Sequence, residues 1–191
     1  MGVATAAHIH PVRVLNGNRE GTLADVIAGL NYIALRGVSP AVAIMSLGSS
    51  FSRSLNKAAE AVFQQGVLVV TSAGNEGKDA CSKSPASSPF VLSVGAINQT
   101  DHVIERSNYG SCVNMYAPGQ DIPVPAMNNY ENILLSGTSA SAPFVAGVAA
   151  LTIQAFPSIP TQARFDLLTS SYTSSIACEC VPNRLLYTNR L

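Results

Sequence analysis

The chain has 191 residues, of which 47% are hydrophobic and 12% charged, and its formal net charge is zero. This is the composition of a globular protein with a sizeable core, and it excludes a disordered chain. Because the eleven lysines and arginines are spread along the sequence, no basic patch predicts a nucleic-acid partner. No signal peptide and no run of 18 apolar residues is visible, so we expect no membrane span.

The first part of the chain alternates strand and helix patterns. Residues 9–15 are predicted to form a strand. Residues 22–36 are predicted to form a helix, which Thr22 can cap and Gly37 can end. Residues 41–47 are almost continuously apolar, as a buried parallel strand requires.

The alternation continues with a second helix at residues 54–65 and two further buried strands at residues 67–71 and 90–94. This order predicts an α/β fold, with an open, mostly parallel sheet that carries helices on both faces. We find no linker and no internal repeat, so residues 1–191 are interpreted as a single domain.

Glycine, proline and asparagine punctuate residues 98–136, which predicts loops and small hairpins. An apolar, small-residue helix follows and extends to about residue 155. Residues 161–168 are predicted to form a last helix, and residues 170–191 an irregular tail.

The most informative stretch is Gly137-Thr138-Ser139, which places a serine hydroxyl in the first turn of that apolar helix. A helix start offers unpaired backbone N–H groups and the positive end of a dipole. Both suit an oxyanion that forms beside an attacking serine. Ser139 is therefore a candidate nucleophile.

Two other polar or small-residue segments follow predicted strands, where ligands of open α/β sheets gather. They are Ser46-Leu47-Gly48 and Ser72-Ala73-Gly74-Asn75. The segment at residues 46–48 could let an extended substrate pair with the chain as an added strand. In the segment at residues 72–75, the Asn75 side-chain amide could donate to an oxyanion, with the Ser139 backbone N–H as the other donor.

Each piece taken alone also has a plain structural explanation. Thr138 or Ser139 could simply cap a helix, and Ala73-Gly74-Asn75 could be an ordinary turn. The order and spacing of the three segments nevertheless resemble those of subtilisin-like serine proteases, and in particular their proteinase K-like branch. Further stretches that resemble this family are Val12-Arg13-Val14-Leu15, Ser84-Pro85-Ala86-Ser87, Asn108-Tyr109-Gly110, Ala117-Pro118-Gly119 and residues 182–187.

The resemblance implies a secreted serine endopeptidase that cuts peptide or protein substrates by acyl transfer. Carried over to this sequence, Ser139 is the nucleophile and Asn75 the oxyanion donor. Residues 46–48 and 72–74 would line the substrate groove and the pocket for the residue before the cut.

The family's catalytic aspartate and histidine are not found in their usual motifs, D-[ST]-G and H-G-T-H-[VC]-A-G. The chain therefore resembles roughly the C-terminal two-thirds of such a catalytic domain, without the N-terminal part of the fold. We expect it to be essentially inactive by itself, and expect the missing segment to be a partner. His8 and His10 could instead bind a metal or serve as the base.

Three functions remain open at this point: part of a serine endopeptidase, an inactive relative that binds peptides or proteins, or one half of a nicked two-chain protease. The intact Ser139 and Asn75 favour the first over the second.

The family resemblance also suggests a Cys81–Cys112 disulfide, while Cys178 and Cys180 receive no role. No cofactor is required by the proposed chemistry. Calcium is held in related enzymes by two carbonyls and an aspartate, which correspond to Pro89, Val91 and Asn114 in this chain. Because calcium prefers charged oxygens, the asparagine predicts at most a weak site.

Overall fold

The structure, a computed structural model, describes residues 2–126, 132–170 and 182–187. Cys178 and Cys180 lie outside the described residues. The helices are α1 (Leu23–Arg36), α2 (Arg53–Gln64), α3 (Thr138–Ala155) and α4 (Thr161–Ser170). The strands are β1 (Ala41–Met45), β2 (Ser49–Ser50), β3 (Val67–Ser72), β4 (Lys83–Ser84), β5 (Val91–Ile97), β6 (Met115–Pro118), β7 (Ile122–Pro125) and β8 (Asn132–Leu135).

The main sheet has four parallel strands in the order β1-β3-β5-β6. Its central strand β3 is buried along its whole length because both of its faces are covered. Leu68 and Val70 pack towards α3, whereas Val67 and Val69 pack towards α1 and α2. The predicted α/β fold with helices on both faces of a parallel sheet is confirmed.

Local sequence signals account for the start and the end of α1. The Thr22 hydroxyl accepts from the Asp25 N–H, while the Asp25 carboxylate accepts from the Thr22 N–H, which completes a capping box. Hydrogen bonds from Thr22 lower the pKa of the Asp25 carboxyl. The N–H of Gly37 closes the other end by donating to the Ile33 carbonyl.

The predicted strand at residues 9–15 is wrong, since these residues form no ladder with any described strand. Val12 and Val14 are half-buried, Pro11 and Arg13 beside them are exposed, and the valine side chains pack against α1 at Gly29. The segment is thus extended and amphipathic, as its sequence indicates. It lacks a neighbouring strand to pair with, and pairing is what makes an extended segment a strand.

The prediction for residues 98–136 is right for the β7–β8 hairpin but misses β6. This strand pairs in parallel with β5, from Val94 opposite Met115 to Ile97 opposite Pro118. It is only four residues long, contains no β-branched residue and ends in proline. Its place in the sheet comes from tertiary pairing rather than from a local signal.

Helix α3 is long and apolar enough, by length and composition, to cross a membrane. Half of it is buried inside the protein, where it packs against β1, β3, β5 and β6. This is the position of a core helix. Small residues such as Ala142, Ala146 and Ala149 let it lie close to the sheet.

The phenol of Tyr116 is buried, and in the described part of the chain its hydroxyl has no hydrogen-bond partner. This burial raises the pKa of Tyr116. Because a buried hydroxyl without a partner destabilises the folded state, we expect Tyr116→Phe to raise the free energy of unfolding by about 1 kcal/mol. Urea unfolding tests this, with the exposed Tyr32→Phe as the control, and a loss of stability in Tyr116→Phe would contradict it.

Candidate active site

The site begins at the turn that leads into α3. Gly137 is the N-cap residue, with a φ of 128° and no side chain to cap the helix. Its N–H donates to the Gly119 carbonyl at 2.7 Å, and its carbonyl accepts from the Ala140 N–H at 2.9 Å. Gly119, which comes directly after β6, therefore supports this turn through its carbonyl.

Asn75, which lies beyond the end of β3, supplies the cap that Gly137 lacks. Its Oδ1 accepts from the backbone N–H of Thr138 at 2.8 Å and from the Thr138 hydroxyl at 3.1 Å. The same hydroxyl oxygen accepts from the Gly74 N–H at 3.2 Å. The structure thus brings two of the three predicted site segments into direct contact.

Two N–H donors remain unused at this junction. Within the described residues, neither the Asn75 side-chain nitrogen nor the Ser139 backbone N–H donates to any group. Ser139 is half-buried and is the second residue of α3. Donors held by the fold at a helix N-terminus can stabilise a negatively charged oxygen beside the serine hydroxyl.

The third predicted segment lies beside the other two because β1 and β3 run in parallel, with Met45 opposite Thr71. Ser46 is exposed just after β1, and its hydroxyl donates to the Ser139 carbonyl at 3.3 Å. Leu47 is half-buried and Gly48 is exposed.

The backbone that follows β3 is more enclosed. Ser72 is buried, and Ala73 is fully buried, with its N–H bonded to the Val94 carbonyl. Gly74 is half-buried and has a φ of 107°, which favours glycine. All six residues predicted to line a substrate groove therefore lie at one end of the sheet, although Ala73 has no exposed surface.

No base acts on Ser139 in the described part of the chain. Its hydroxyl makes no hydrogen bond there. His8 and His10 are exposed on the irregular segment that precedes α1, and the His102 ring contacts the Thr100 hydroxyl.

The loop that carries Asn75 is braced by residues that sequence reasoning did not assign to the site. The Asn108 side chain, wholly buried, hydrogen-bonds to the loop at residues 73, 76 and 78. Its only sequence signal was the resemblance of Asn108-Tyr109-Gly110 to a family motif. Burial raises the pKa of Glu76, but hydrogen bonds from Lys83 and Asn108 outweigh it, so this pKa lies below its ordinary value.

A disulfide ties the same two loops together. The predicted Cys81–Cys112 bond is present, with a sequence separation of 31 residues. A cross-link that closes a loop of this length stabilises a protein by about 3–4 kcal/mol in the chain-entropy account. Backbone hydrogen bonds from Ala80 N to Tyr109 O and from Tyr109 N to Lys78 O join the loops on either side of it.

The weak calcium site stays a prediction. The Asn114 Oδ1 accepts from the Ser93 N–H at 2.7 Å, which uses one of its two lone pairs and leaves an uncharged oxygen where a carboxylate would bind calcium more strongly. A metal site of another kind, with three or more histidines, cysteines or acids together, is not found among the described residues.

A parallel α/β sheet with a serine at the start of a core helix, beside unused N–H donors, is typical of serine hydrolases. The sequence pattern of the subtilase family, peptidase S8, matches residues 1–177. The chain belongs to this family of serine proteases.

Individual relatives agree with this assignment. The chain is 41% identical to the extracellular serine proteinase of Thermus sp. (strain Rt41A) and 37% identical to a cuticle-degrading serine protease of Arthrobotrys oligospora. These matches cover 98% and 97% of the chain but 47% of each relative, so the chain spans about half of their length.

A solved structure is also similar. The crystal structure of a cold adapted subtilisin-like serine proteinase matches with a TM-score of 0.92 and 38% identity. The match covers 97% of this chain and 68% of that one. The fold is therefore subtilisin-like.

Proposed function

We propose that this chain is the nucleophile-bearing part of a secreted serine endopeptidase, with Ser139 as the nucleophile and Asn75 as an oxyanion donor. The observation that carries the proposal is the pair of unused donors at Asn75 Nδ2 and Ser139 N–H, held by the fold at the start of α3. Secretion is supported by a relative that is named an extracellular serine proteinase.

In the proposed reaction, the Ser139 Oγ attacks the carbonyl carbon of the scissile peptide bond while a base removes its proton. The carbonyl electron pair moves to the oxygen, and the resulting anion accepts hydrogen bonds from Asn75 Nδ2 and Ser139 N–H. Collapse of this intermediate breaks the C–N bond, and the amine leaves with a proton. Water then hydrolyses the Ser139 ester by the same steps in reverse.

The substrate in this proposal is an extended peptide that pairs with the backbone of residues 46–48 as an added strand, while residues 72–74 line the groove and the pocket for the residue before the cut. Residues of these segments sit at the carboxyl ends of two adjacent parallel strands, which is where open α/β sheets bind ligands. The exposed Ser46 and Gly48 leave room for a peptide backbone to approach.

The base and its orienting acid must come from elsewhere, and we propose a segment upstream of these residues as their source. In the described structure β1 is an edge strand of the main sheet, and its Ile44 side chain is 53% exposed. An edge with free backbone groups and an exposed apolar side chain is suited to pair with one more strand. Helix α1 also has exposed apolar surface, since Leu35 is 81% exposed.

The role of Asn75 is tested by Asn75→Asp, assayed in the chain completed with a segment from an active subtilase that carries both missing motifs. The aspartate keeps an acceptor for Thr138 but offers no N–H and adds a negative charge. We expect kcat to fall by at least about 10²–10³-fold, the range for losing one such donor in subtilisin, with little change in thermal stability.

The matched control is Asn18→Ala, an exposed asparagine on the loop before α1. It should leave both kcat and thermal stability as they are in the parent. Full activity in Asn75→Asp would show that Asn75 does not serve as an oxyanion donor. A completed chain that binds peptides tightly without cutting them would favour a binding protein instead.

A further inference from the structure

The polar side chain buried behind the candidate oxyanion site belongs to Asn108, which has no exposed surface. Its Nδ2 donates to the Ala73 carbonyl and to the Glu76 carboxylate, each at 2.9 Å. Its Oδ1 accepts from the N–H of Glu76 at 3.1 Å and from the N–H of Lys78 at 2.9 Å. Both N–H groups and both lone pairs of this amide are therefore used on one loop.

The loop is wrapped tightly against this amide. The Asn108 N–H donates to the Gly74 carbonyl at 3.0 Å. A Cβ added to Gly74 would collide with Asn108 Nδ2, and the φ of 107° at Gly74 also disfavours any side chain. The Asn108 side chain therefore contacts this loop at residues 73, 76 and 78.

Asn75 lies in the middle of this loop, and Asn108 hydrogen-bonds to residues on both sides of it. Its own Oδ1 meets Thr138, which leaves Nδ2 as its free group. A fully satisfied buried polar network is rigid, and a shift of about 1 Å in a catalytic group can cost about 10²-fold in rate.

We propose that Asn108 is a positioning residue, which fixes the loop so that the Asn75 oxygen caps α3 and its N–H groups face the serine. The catalytic part of this proposal rests on the proposed function of Asn75. The orientation of Asn75 can be measured without any activity, so the two parts can fail separately.

The hydrogen exchange rate of the Thr138 N–H is a direct measure of the orientation of the Asn75 side chain. As the first residue of α3 it has no intrahelical acceptor, and its partner in the structure is the Asn75 Oδ1. Its protection from hydrogen exchange should therefore depend on where Asn75 points.

The first experiment measures hydrogen exchange of the 191-residue chain at low micromolar concentration, with residue-level mass spectrometry, in Asn108→Asp. The aspartate keeps acceptors for Glu76 and Lys78 but loses both donors, and it faces the Glu76 carboxylate. We expect the Thr138 amide to exchange about tenfold faster or more, while buried amides such as Val69 keep their rates.

A rescue variant separates positioning from general damage. In Asn108→Asp with Glu76→Gln, the new side-chain amide at position 76 can donate to the new carboxylate, which restores that hydrogen bond with reversed direction. We expect part of the Thr138 protection to return, since the Ala73 carbonyl still lacks its donor, and the single variant Glu76→Gln to remain close to the parent. If Asn108→Asp does not fold, Glu76→Ala removes one of the two acceptors of the Asn108 amide, together with the ion pair to Lys83, and should speed Thr138 exchange several-fold.

The second experiment measures kinetics in the chain completed with the motif-carrying segment. Asn108→Asp should lower kcat while KM changes little, and the rescue variant should recover part of kcat. Leu30→Ala in α1, which lowers stability far from the loop, should leave kcat unchanged below its unfolding temperature.

The outcomes are distinct. An unchanged Thr138 exchange rate in folded Asn108→Asp overturns the proposal. So does an unchanged kcat in an active completed chain. Thr138 exchange that responds in a completed chain without any activity leaves the positioning of Asn75 by Asn108 intact and refutes the proposed function.

Discussion

Assayed by itself, the 191-residue chain is expected to hydrolyse a chromogenic peptide about 10⁶-fold more slowly than the same chain completed with a motif-carrying segment. A serine hydroxyl is a weak nucleophile until a base takes its proton, and no base contacts Ser139 in the described residues. Loss of the histidine alone costs subtilisin about 2 × 10⁶ in kcat. The measurement compares turnover of the two preparations under identical conditions.

Two controls make this comparison sharp. The added segment is assayed alone, and a completed chain is assayed in which the histidine of the added motif is replaced by alanine. Both should be inactive. Turnover by the isolated chain at the rate of a normal protease, sensitive to serine-directed inhibitors, would contradict the requirement for an upstream base.

In the completed chain, Ser139→Ala should lower kcat by about 10⁶-fold, because removal of the nucleophile stops acyl transfer while the two N–H donors remain. A residual rate about 10³–10⁴-fold above the uncatalysed reaction is expected from those donors and from substrate binding. Turnover and substrate affinity are measured together, and KM should change far less than kcat.

Ser141→Ala is the matched control, since Ser141 lies in the same helix and its buried hydroxyl has no hydrogen-bond partner within the described residues. We expect its activity to equal that of the parent. An active Ser139→Ala variant, or an inactive Ser141→Ala variant, would contradict the assignment of Ser139 as the nucleophile.

The parts of the fold that the sequence predicts are those with local causes. Helix α1 begins at the Thr22 capping box and ends at Gly37, and the apolar run at residues 41–47 does contain β1. Residues 9–15 and β6 could not be assigned correctly, because their state depends on whether a neighbouring strand is present. That information lies elsewhere in the chain.

The candidate site also has residues that the sequence predicts and residues that it does not. Small and polar residues after strand ends point to Ser139 and Asn75, and the structure links these two positions through Thr138. The role of Asn108 could not be predicted, because its amide bonds to a loop about 30 residues earlier in the chain. Nothing in the sequence indicates that this particular asparagine is buried.

The most direct test of the account is covalent labelling of the completed chain with a fluorophosphonate, followed by mapping of the modified residue by mass spectrometry. We predict one adduct, on Ser139, and its loss in Ser139→Ala and in the chain without the added segment. An adduct on another residue, or an active completed chain that gives no adduct at Ser139, would contradict the central claim.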